Sequence, residues 1–238
     1  MVIHNSRKYF FYLFVILLPV VSIYISFRAK QEKKKVIAND LPVLSKDSLP
    51  DFTLIAHTGD TITRKSVEGK ILVADFFFTK CRGICPVMSK QMARIQSSLS
   101  NNESVGKKFI MLSHTVAPGN DSVATLRQYA ELYGADPTYW LLVTGNKQQL
   151  YDLAINFYKL PALETPEDSL NPFAHSERFI LVDRNGLIRG YYDGTDSTSV
   201  DKLMNDITKI DIRDAVRKKK KEKEIVIKSQ QSAGDRQQ

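Results

Sequence analysis

The sequence predicts a mixed α/β domain in which a central sheet is covered by helices on both faces. Residues 71–78 and 109–113 are nearly continuous apolar runs, as is typical of strands buried on both sides. Helical patterns alternate with such runs, in the order β-α-β-α-β-α-β-β-α after an N-terminal hairpin. The chain has 238 residues and is 43% hydrophobic, which is enough for one domain with a core and excludes disorder throughout.

Local patterns predict each element in turn. Short strands over 52–55 and 61–63 flank the turn Thr58-Gly59-Asp60 and indicate a hairpin. A helix over about 86–99 is indicated by an apolar stripe in which residues recur at intervals of four, three and four, namely Met88, Met92, Ile95 and Leu99. The remaining elements are helices over about 121–133, capped by Asp121, 147–158 and 200–212, and strands over 140–143, 178–182 and 187–192. The turn Asp183-Arg184-Asn185-Gly186 adds an antiparallel edge, and the whole order is the layout of a thioredoxin-like domain over 51–212.

Residues 9–27 form an apolar run without a charge. As an α-helix this run would be about 28 Å long, close to the hydrocarbon thickness of a bilayer. Tyrosines stand toward its ends and no convincing small-residue cleavage site follows, so we predict an N-terminal transmembrane anchor that is not cleaved as a signal peptide. A short segment, 1–8, precedes the anchor, and a polar linker, 28–50, follows it.

Basic residues are concentrated at the two ends of the chain. The net charge is +8, of which residues 1–36 carry +6 and residues 213–238 carry +5, so that 37–212 is mildly acidic. A nucleic-acid-binding domain would carry its basic residues on the folded face, so no nucleic acid is expected as a partner. Residues 213–238 lack a core pattern and are predicted to be a disordered tail or a frayed helix.

The chain contains two cysteines, Cys81 and Cys85, between a predicted buried strand and a predicted helix start. A spacing of four places both sulfurs on one face if the turn is helical. A helix N-terminus favours thiolate over thiol, and thiolates serve both disulfide exchange and soft-metal binding. Two cysteines exclude a disulfide-stapled mini-protein and a four-cysteine zinc site.

The four histidines differ in their predicted environments. His4 precedes the apolar run, and His57 is expected to be solvated beside the first hairpin turn. His114 ends the second buried strand, at the same sheet edge as the cysteines if that strand is parallel. His175 lies just before the strand at residue 178. In thioredoxin-like folds the loop before that strand passes beside the cysteine helix, so His175 is the histidine best placed to meet the cysteines.

Two thiolates and one imidazole suit copper, because thiolates select Cu(I) and an imidazole accommodates Cu(II). Zinc usually requires a fourth fixed ligand. Oxidation of the cysteines to a disulfide would abolish binding, which couples metal loading to thiol redox state. Met88 and Met92 are also soft donors, but their helical spacing favours core packing.

Three segments of the chain resemble the Sco/SenC family of copper proteins, and the resemblance spans about residues 50–212. The segments are FFFTKCRGICPVM (Phe76–Met88), LSHTV (Leu112–Val116) and HSERFILVDRNGLIRGYYDGTD (His175–Asp196). The resemblance implies a thioredoxin-like domain anchored to the membrane outside the cytoplasm, with copper bound by Cys81, Cys85 and His175. It also implies assistance in assembling the dinuclear copper centre of cytochrome c oxidase, with the copper-bearing oxidase subunit or another cuproprotein as partner.

The chain departs from the family pattern at two places. Ala117-Pro118-Gly119 stands where the family usually has Asp-Pro-Glu, and Ala174 stands where an acid usually precedes the ligand histidine. The missing carboxylates would help to steer a cation or a partner. Asp75 is unusual in a buried strand; it either tunes the proton affinity of a nearby thiol or faces a polar edge.

The orientation of the anchor is contested. More Lys and Arg follow the apolar run than precede it, so the positive-inside rule would place the soluble domain in the cytoplasm. The copper chemistry favours the opposite side, and we expect the domain on the extracytoplasmic (periplasmic) face of the membrane.

Two enzymatic alternatives stay open beside a copper metallochaperone, which is not a classical enzyme. A thiol–disulfide oxidoreductase would use Cys81 as nucleophile and Cys85 as resolving thiol without copper, although the spacing departs from C-x-x-C. A peroxiredoxin-type enzyme would use Thr79 to activate Cys81, but the proline-rich approach to that threonine is missing.

Overall fold

The computed structural model describes residues 17–28, 30–31, 41–102, 105–160 and 176–234. The chain divides into two compact units: one comprises Leu41–Asp211, and the other is formed by the two ends of the chain. The first unit contains the sheet and both cysteines.

Among the described residues, seven strands form one sheet in the order β2-β1-β5-β4-β3-β6-β7. The strands are β1 (Thr53–Ala56), β2 (Thr61–Thr63), β3 (Ile71–Phe77), β4 (Phe109–Thr115), β5 (Trp140–Thr144), β6 (Arg178–Val182) and β7 (Ile188–Asp193). The three central strands β3, β4 and β5 run parallel, and the outer pairings are antiparallel. The predicted mixed sheet, with its N-terminal hairpin and antiparallel edge, is confirmed.

The described helices are α1 (17–28), α2 (Arg64–Val67), α3 (Ile84–Ser100), α4 (Val123–Tyr133), α5 (Lys147–Asp152) and α6 (Ser197–Gly234). Within the unit that contains the sheet, helices pack on both of its faces. One hydrophobic cluster contains the apolar faces of α3, α4 and α6, and a second contains the apolar face of α5 on the other side. The predicted stripe of α3 is buried in the first cluster, so its methionines are core residues.

The transmembrane prediction falls partly on residues 9–16, which lie outside the described residues. Residues 17–28 and 30–31 are helical. Within the part of the chain that the structure describes, no helix combines the length and the apolar character needed to cross a membrane.

Two helices differ from their predicted extents. The helix predicted over 147–158 is α5 followed by one π-helical segment, Leu153–Phe157, in which the Tyr158 N–H donates to the Leu153 carbonyl. Apolar periodicity does not distinguish one π turn from an α turn, because either can keep the same side chains buried. The last helix continues to Gly234 instead of ending near Ile212, so 213–234 is helical and not disordered. Its Lys and Glu residues favour helix, and Lys220 pairs with Glu224 one turn on, at 3.9 Å.

Candidate metal centre

The two cysteines stand where β3 gives way to α3, as the sequence predicts. We call residues 78–83, between the two elements, the cysteine loop. Cys81 lies in this loop and its N–H donates to the Phe78 carbonyl at 3.2 Å, which closes a tight turn. Cys85 lies in the first turn of α3. This end of α3 has no side-chain cap and no acidic residue in its first turn, so its N–H groups remain available to a negative charge.

Both cysteines are free thiols that differ in exposure. Cys85 is buried, with 4% of its surface exposed, and Cys81 is half-buried. The Cys81 side chain faces the Cys85 thiol closely enough to affect its protonation. The spacing therefore brings the two thiols together with one of them open to solvent.

Cys85 does not have the low pKa that its place at a helix N-terminus suggests. Burial raises the pKa of the Cys85 thiol far above its ordinary value, and the neighbouring Cys81 and the Asp75 carboxyl raise it further. The backbone of Phe78 acts in the opposite direction but does not compensate. The expectation of a stabilised thiolate is therefore wrong for Cys85 in the metal-free protein, because desolvation outweighs the helix dipole.

Asp75 lies in the core and not at a polar edge. It is 2% exposed, and its Oδ1 has no hydrogen-bond partner in the described part of the chain. Burial raises the pKa of Asp75 to about 7, although a hydrogen bond with Ser113 opposes this. Of the two predicted roles, the structure therefore favours an electrostatic influence on a thiol, Cys85.

Two of the histidines are core residues. The expectation that His57 is solvated is wrong: it is 5% exposed, and its Nδ1 accepts a hydrogen bond from the Leu142 N–H at 3.2 Å. His114 is fully buried, stacked on Phe76 at 4.8 Å between ring centroids. Phe76 belongs to the cluster on the α5 side of the sheet, whereas Cys85 belongs to the cluster on the α3 side. His114 is thus separated from the thiols by the sheet.

His175 and Ala174 lie outside the described residues, in the segment 161–175. The role of His175 as the third ligand therefore stays a prediction. Across the ranges that the structure covers, no group of three or more His, Cys, Asp or Glu side chains could hold a metal ion.

One residue beside the site has a different role from the one that the sequence predicts. Asp121 is predicted to cap α4, but the cap is Ser122, whose side chain accepts from the Thr125 N–H. Asp121 is instead buried and binds Thr79 of the cysteine loop and Thr115 of β4. An Asp just before a helix is typical of a cap, and only the tertiary contact with the loop distinguishes the two roles.

The fold and the dithiol define a class: thioredoxin-like proteins with two free cysteines between a central strand and the following helix. A model of the SCO1/SenC family matches residues 44–210, and the chain belongs to this family.

Individual relatives agree with this assignment. The SCO1 protein homolog of Bacillus subtilis (strain 168) is 29% identical over 157 residues, which cover 66% of this chain and 79% of the relative. A structure of BsSco, described as a Sco-family cytochrome c oxidase assembly protein with a disulfide switch, superposes with a TM-score of 0.62 at 24% identity, covering 73% and 98% of the two chains. Yeast Sco1 with copper bound superposes with a TM-score of 0.52 at 24% identity, covering 69% and 95%. Both of these solved structures have the same fold as this chain.

Proposed function

We propose that this protein is a copper metallochaperone that carries one copper ion on Cys81, Cys85 and His175. The observation that carries the proposal is the pair of free thiols facing each other at the N-terminus of α3. Sulfur donors suit copper, and adding an imidazole serves both of its common oxidation states. Membership of a family that includes a copper-bound yeast protein supports the choice of metal.

The register of the sheet supports His175 as the third ligand. β6 pairs antiparallel with β3, with Ile180 opposite Ala74. Continuing that register toward the start of β6 places residue 176 level with the beginning of the cysteine loop. Ser176 is itself buried there. His175 directly precedes Ser176 in the sequence, and this supports the proposal that His175 completes the site.

The environment of the thiols explains how copper would be held and released. Because the pKa of Cys85 is raised, copper has to displace the thiol proton, and binding releases protons to solvent. The uncapped N-terminus of α3 then stabilises the negative charge of the bound thiolate. Cys81 is half-buried, so an acceptor protein can reach the ion from its side.

The physiological role follows as part of the same proposal. The family and the oxidase-assembly description of BsSco support delivery of copper to the dinuclear centre of cytochrome c oxidase. The recipient is then the copper-bearing oxidase subunit or another cuproprotein. We further propose that residues 9–27 anchor the protein, with the thioredoxin-like domain on the extracytoplasmic side.

Titration of the reduced full chain with Cu(I), against a competing chelator, tests the metal-binding role. We expect one tightly bound copper per chain, and loss of that complex in Cys81→Ser and in Cys85→Ser. Met92→Leu removes a buried sulfur from the same helix with little change of volume, and it should leave binding unchanged. Absence of a one-to-one complex, or an unchanged complex in Cys81→Ser, would overturn the proposal.

The difference in exposure of the two cysteines favours one second candidate, a thiol–disulfide oxidoreductase. A half-buried Cys81 is suited to attack a substrate disulfide, and the buried Cys85 is suited to resolve the mixed disulfide. Reduction of insulin or of a partner protein, in the absence of copper and at the same rate in His175→Ala, would favour this activity over copper transport.

A further inference from the structure

We propose that Asp121 is a positioning residue for the metal site, which holds the cysteine loop in the conformation where Cys81 faces Cys85. The inference rests on the proposed function for its role in copper binding. Its structural part concerns the thiol pair alone and can be tested separately.

The Asp121 carboxylate binds three donors. Its Oδ1 accepts a hydrogen bond from Thr79 Oγ1 at 2.5 Å, and its Oδ2 accepts from the Thr79 N–H at 3.3 Å. Oδ2 also accepts from Thr115 Oγ1 at 2.5 Å. Asp121 is 1% exposed, and hydrogen bonds to a buried carboxylate are stronger than those between neutral groups.

These hydrogen bonds connect three parts of the fold, namely the cysteine loop, the end of β4 and the segment that precedes α4. Thr79 is in the cysteine loop, two residues before Cys81, and Thr115 is the last residue of β4. Asp121 is held in turn by its own backbone, since its N–H donates to the Ala117 carbonyl at 2.9 Å. The carboxylate therefore fastens the start of the cysteine loop to the end of the neighbouring strand.

Asp121 is the main partner of the start of the cysteine loop. Thr79 donates both its hydroxyl and its backbone N–H to the Asp121 carboxylate, and the Cys81 N–H donates to the Phe78 carbonyl within the loop. Gly83 ends the loop and adds backbone freedom. Loss of the carboxylate would therefore let Cys81 move relative to Cys85, which is fixed on α3.

Asp183 provides a matched control. It is also a buried aspartate, and it accepts hydrogen bonds from the N–H groups of Asn185 and Leu187 and from Arg189 Nη1. It follows Val182, which pairs with Leu72 near the start of β3, so it lies at the opposite edge of the sheet from the cysteine loop. Asp183→Asn should lower the free energy of unfolding, as Asp121→Asn should, but it should leave the arrangement of Cys81 and Cys85 unchanged.

Two measurements on the full chain test the inference. The first is the equilibrium with glutathione, in which the two thiols form a disulfide while one glutathione disulfide is reduced to two glutathione thiols. The second is the affinity for Cu(I). We expect Asp121→Asn and Thr79→Val to disfavour the protein disulfide and to weaken copper binding about 10- to 100-fold, the range found for residues that orient metal ligands. Thr79→Ser, which keeps the hydroxyl, should behave as the wild type, and so should Asp183→Asn.

The outcomes separate the inference from the proposed function. Equal effects of Asp121→Asn and Asp183→Asn on the glutathione equilibrium, or wild-type behaviour of Thr79→Val, would overturn the role of Asp121. If Asp121→Asn fails to fold, the comparison of Thr79→Val with Thr79→Ser decides in the same way. A wild-type chain that binds no copper, with a glutathione equilibrium that still depends on Asp121, would overturn the proposed function and leave the positioning role in place.

Discussion

Asp75 on β3 stands opposite Ser113 on β4 in the register of the two parallel strands, and the Ser113 side chain hydrogen-bonds with the Asp75 carboxyl. Ser113 Oγ also accepts a hydrogen bond from Trp140 Nε1 at 2.8 Å. A short polar chain thus crosses the three central strands inside an apolar cluster, next to Cys85. A carboxyl held in such a place affects both the stability of the fold and the protonation of the thiol.

The first prediction concerns stability and pH. Because burial raises the pKa of Asp75 to about 7, the folded protein retains a proton that the unfolded chain releases above its ordinary pKa of 3.8. The free energy of unfolding contributed by this group therefore falls as the pH rises from about 4 through 7, by roughly 4 kcal/mol in total. Asp75→Asn should remove this loss. In urea unfolding, the free energy of unfolding of the variant should therefore rise relative to that of the wild type between pH 4.5 and pH 8. A difference between the two proteins that does not change with pH would contradict the assignment.

The second prediction concerns His114. Burial lowers the pKa of His114 to about 4, so the ring stays neutral at pH 5.5, where an ordinary histidine is mostly charged. Its contribution to stability is lost as the pH falls from 6.5 toward 4, opposite in sign to that of Asp75. The imidazole proton resonance in an NMR titration, assigned with His114→Gln, should not move between pH 8 and pH 5.5. A midpoint near 6.5 would show that the ring is accessible to water.

The third prediction concerns the reactivity of the thiols. Cys81 is half-buried, whereas Cys85 is buried and its pKa is strongly raised. Iodoacetamide should therefore modify Cys81 first in the reduced, metal-free chain at neutral pH, as measured by mass spectrometry of the digested protein. In Cys81→Ser, Cys85 should react slowly. Equal labelling of both cysteines at early times would contradict the burial of the Cys85 thiol.

The fourth prediction concerns Ser113. Ser113→Ala removes the acceptor of Trp140 Nε1 and the partner of Asp75, and it leaves two buried polar groups with fewer bonds. We expect the free energy of unfolding to fall by about 1–3 kcal/mol. The stability loss attributed to Asp75 should also extend to higher pH, since Ser113 holds the pKa of that carboxyl down in the folded protein. Thr144→Ala, on the neighbouring strand β5, serves as the comparison and should lack the shift in pH dependence.

The strands and the position of the thiols could be predicted because their signals are local. Apolar runs such as 71–78 and 109–113 can be buried in few ways, and a strand followed by a helix places Cys81 and Cys85 at one sheet edge. The helical stripe of α3 likewise depends only on spacing along the chain.

The environment of the site could not be predicted, because it depends on contacts between distant segments. His57 is buried and accepts a hydrogen bond from the Leu142 N–H, 85 residues away, and the burial of Cys85 outweighs a favourable helix N-terminus. Asp121 resembles a helix cap in sequence and binds Thr79 in the fold. In each case a local pattern indicates one role, and packing assigns another.

The ligand set of the bound ion tests the central claim most directly. X-ray absorption at the copper edge should be recorded on the reduced full chain loaded with one equivalent of Cu(I), with His175→Ala and the core variant His114→Gln for comparison. We predict two sulfur scatterers and one imidazole in the wild type and in His114→Gln, and loss of the imidazole contribution in His175→Ala. An unchanged imidazole signal in His175→Ala, or a spectrum without two sulfurs, would contradict copper binding by Cys81, Cys85 and His175.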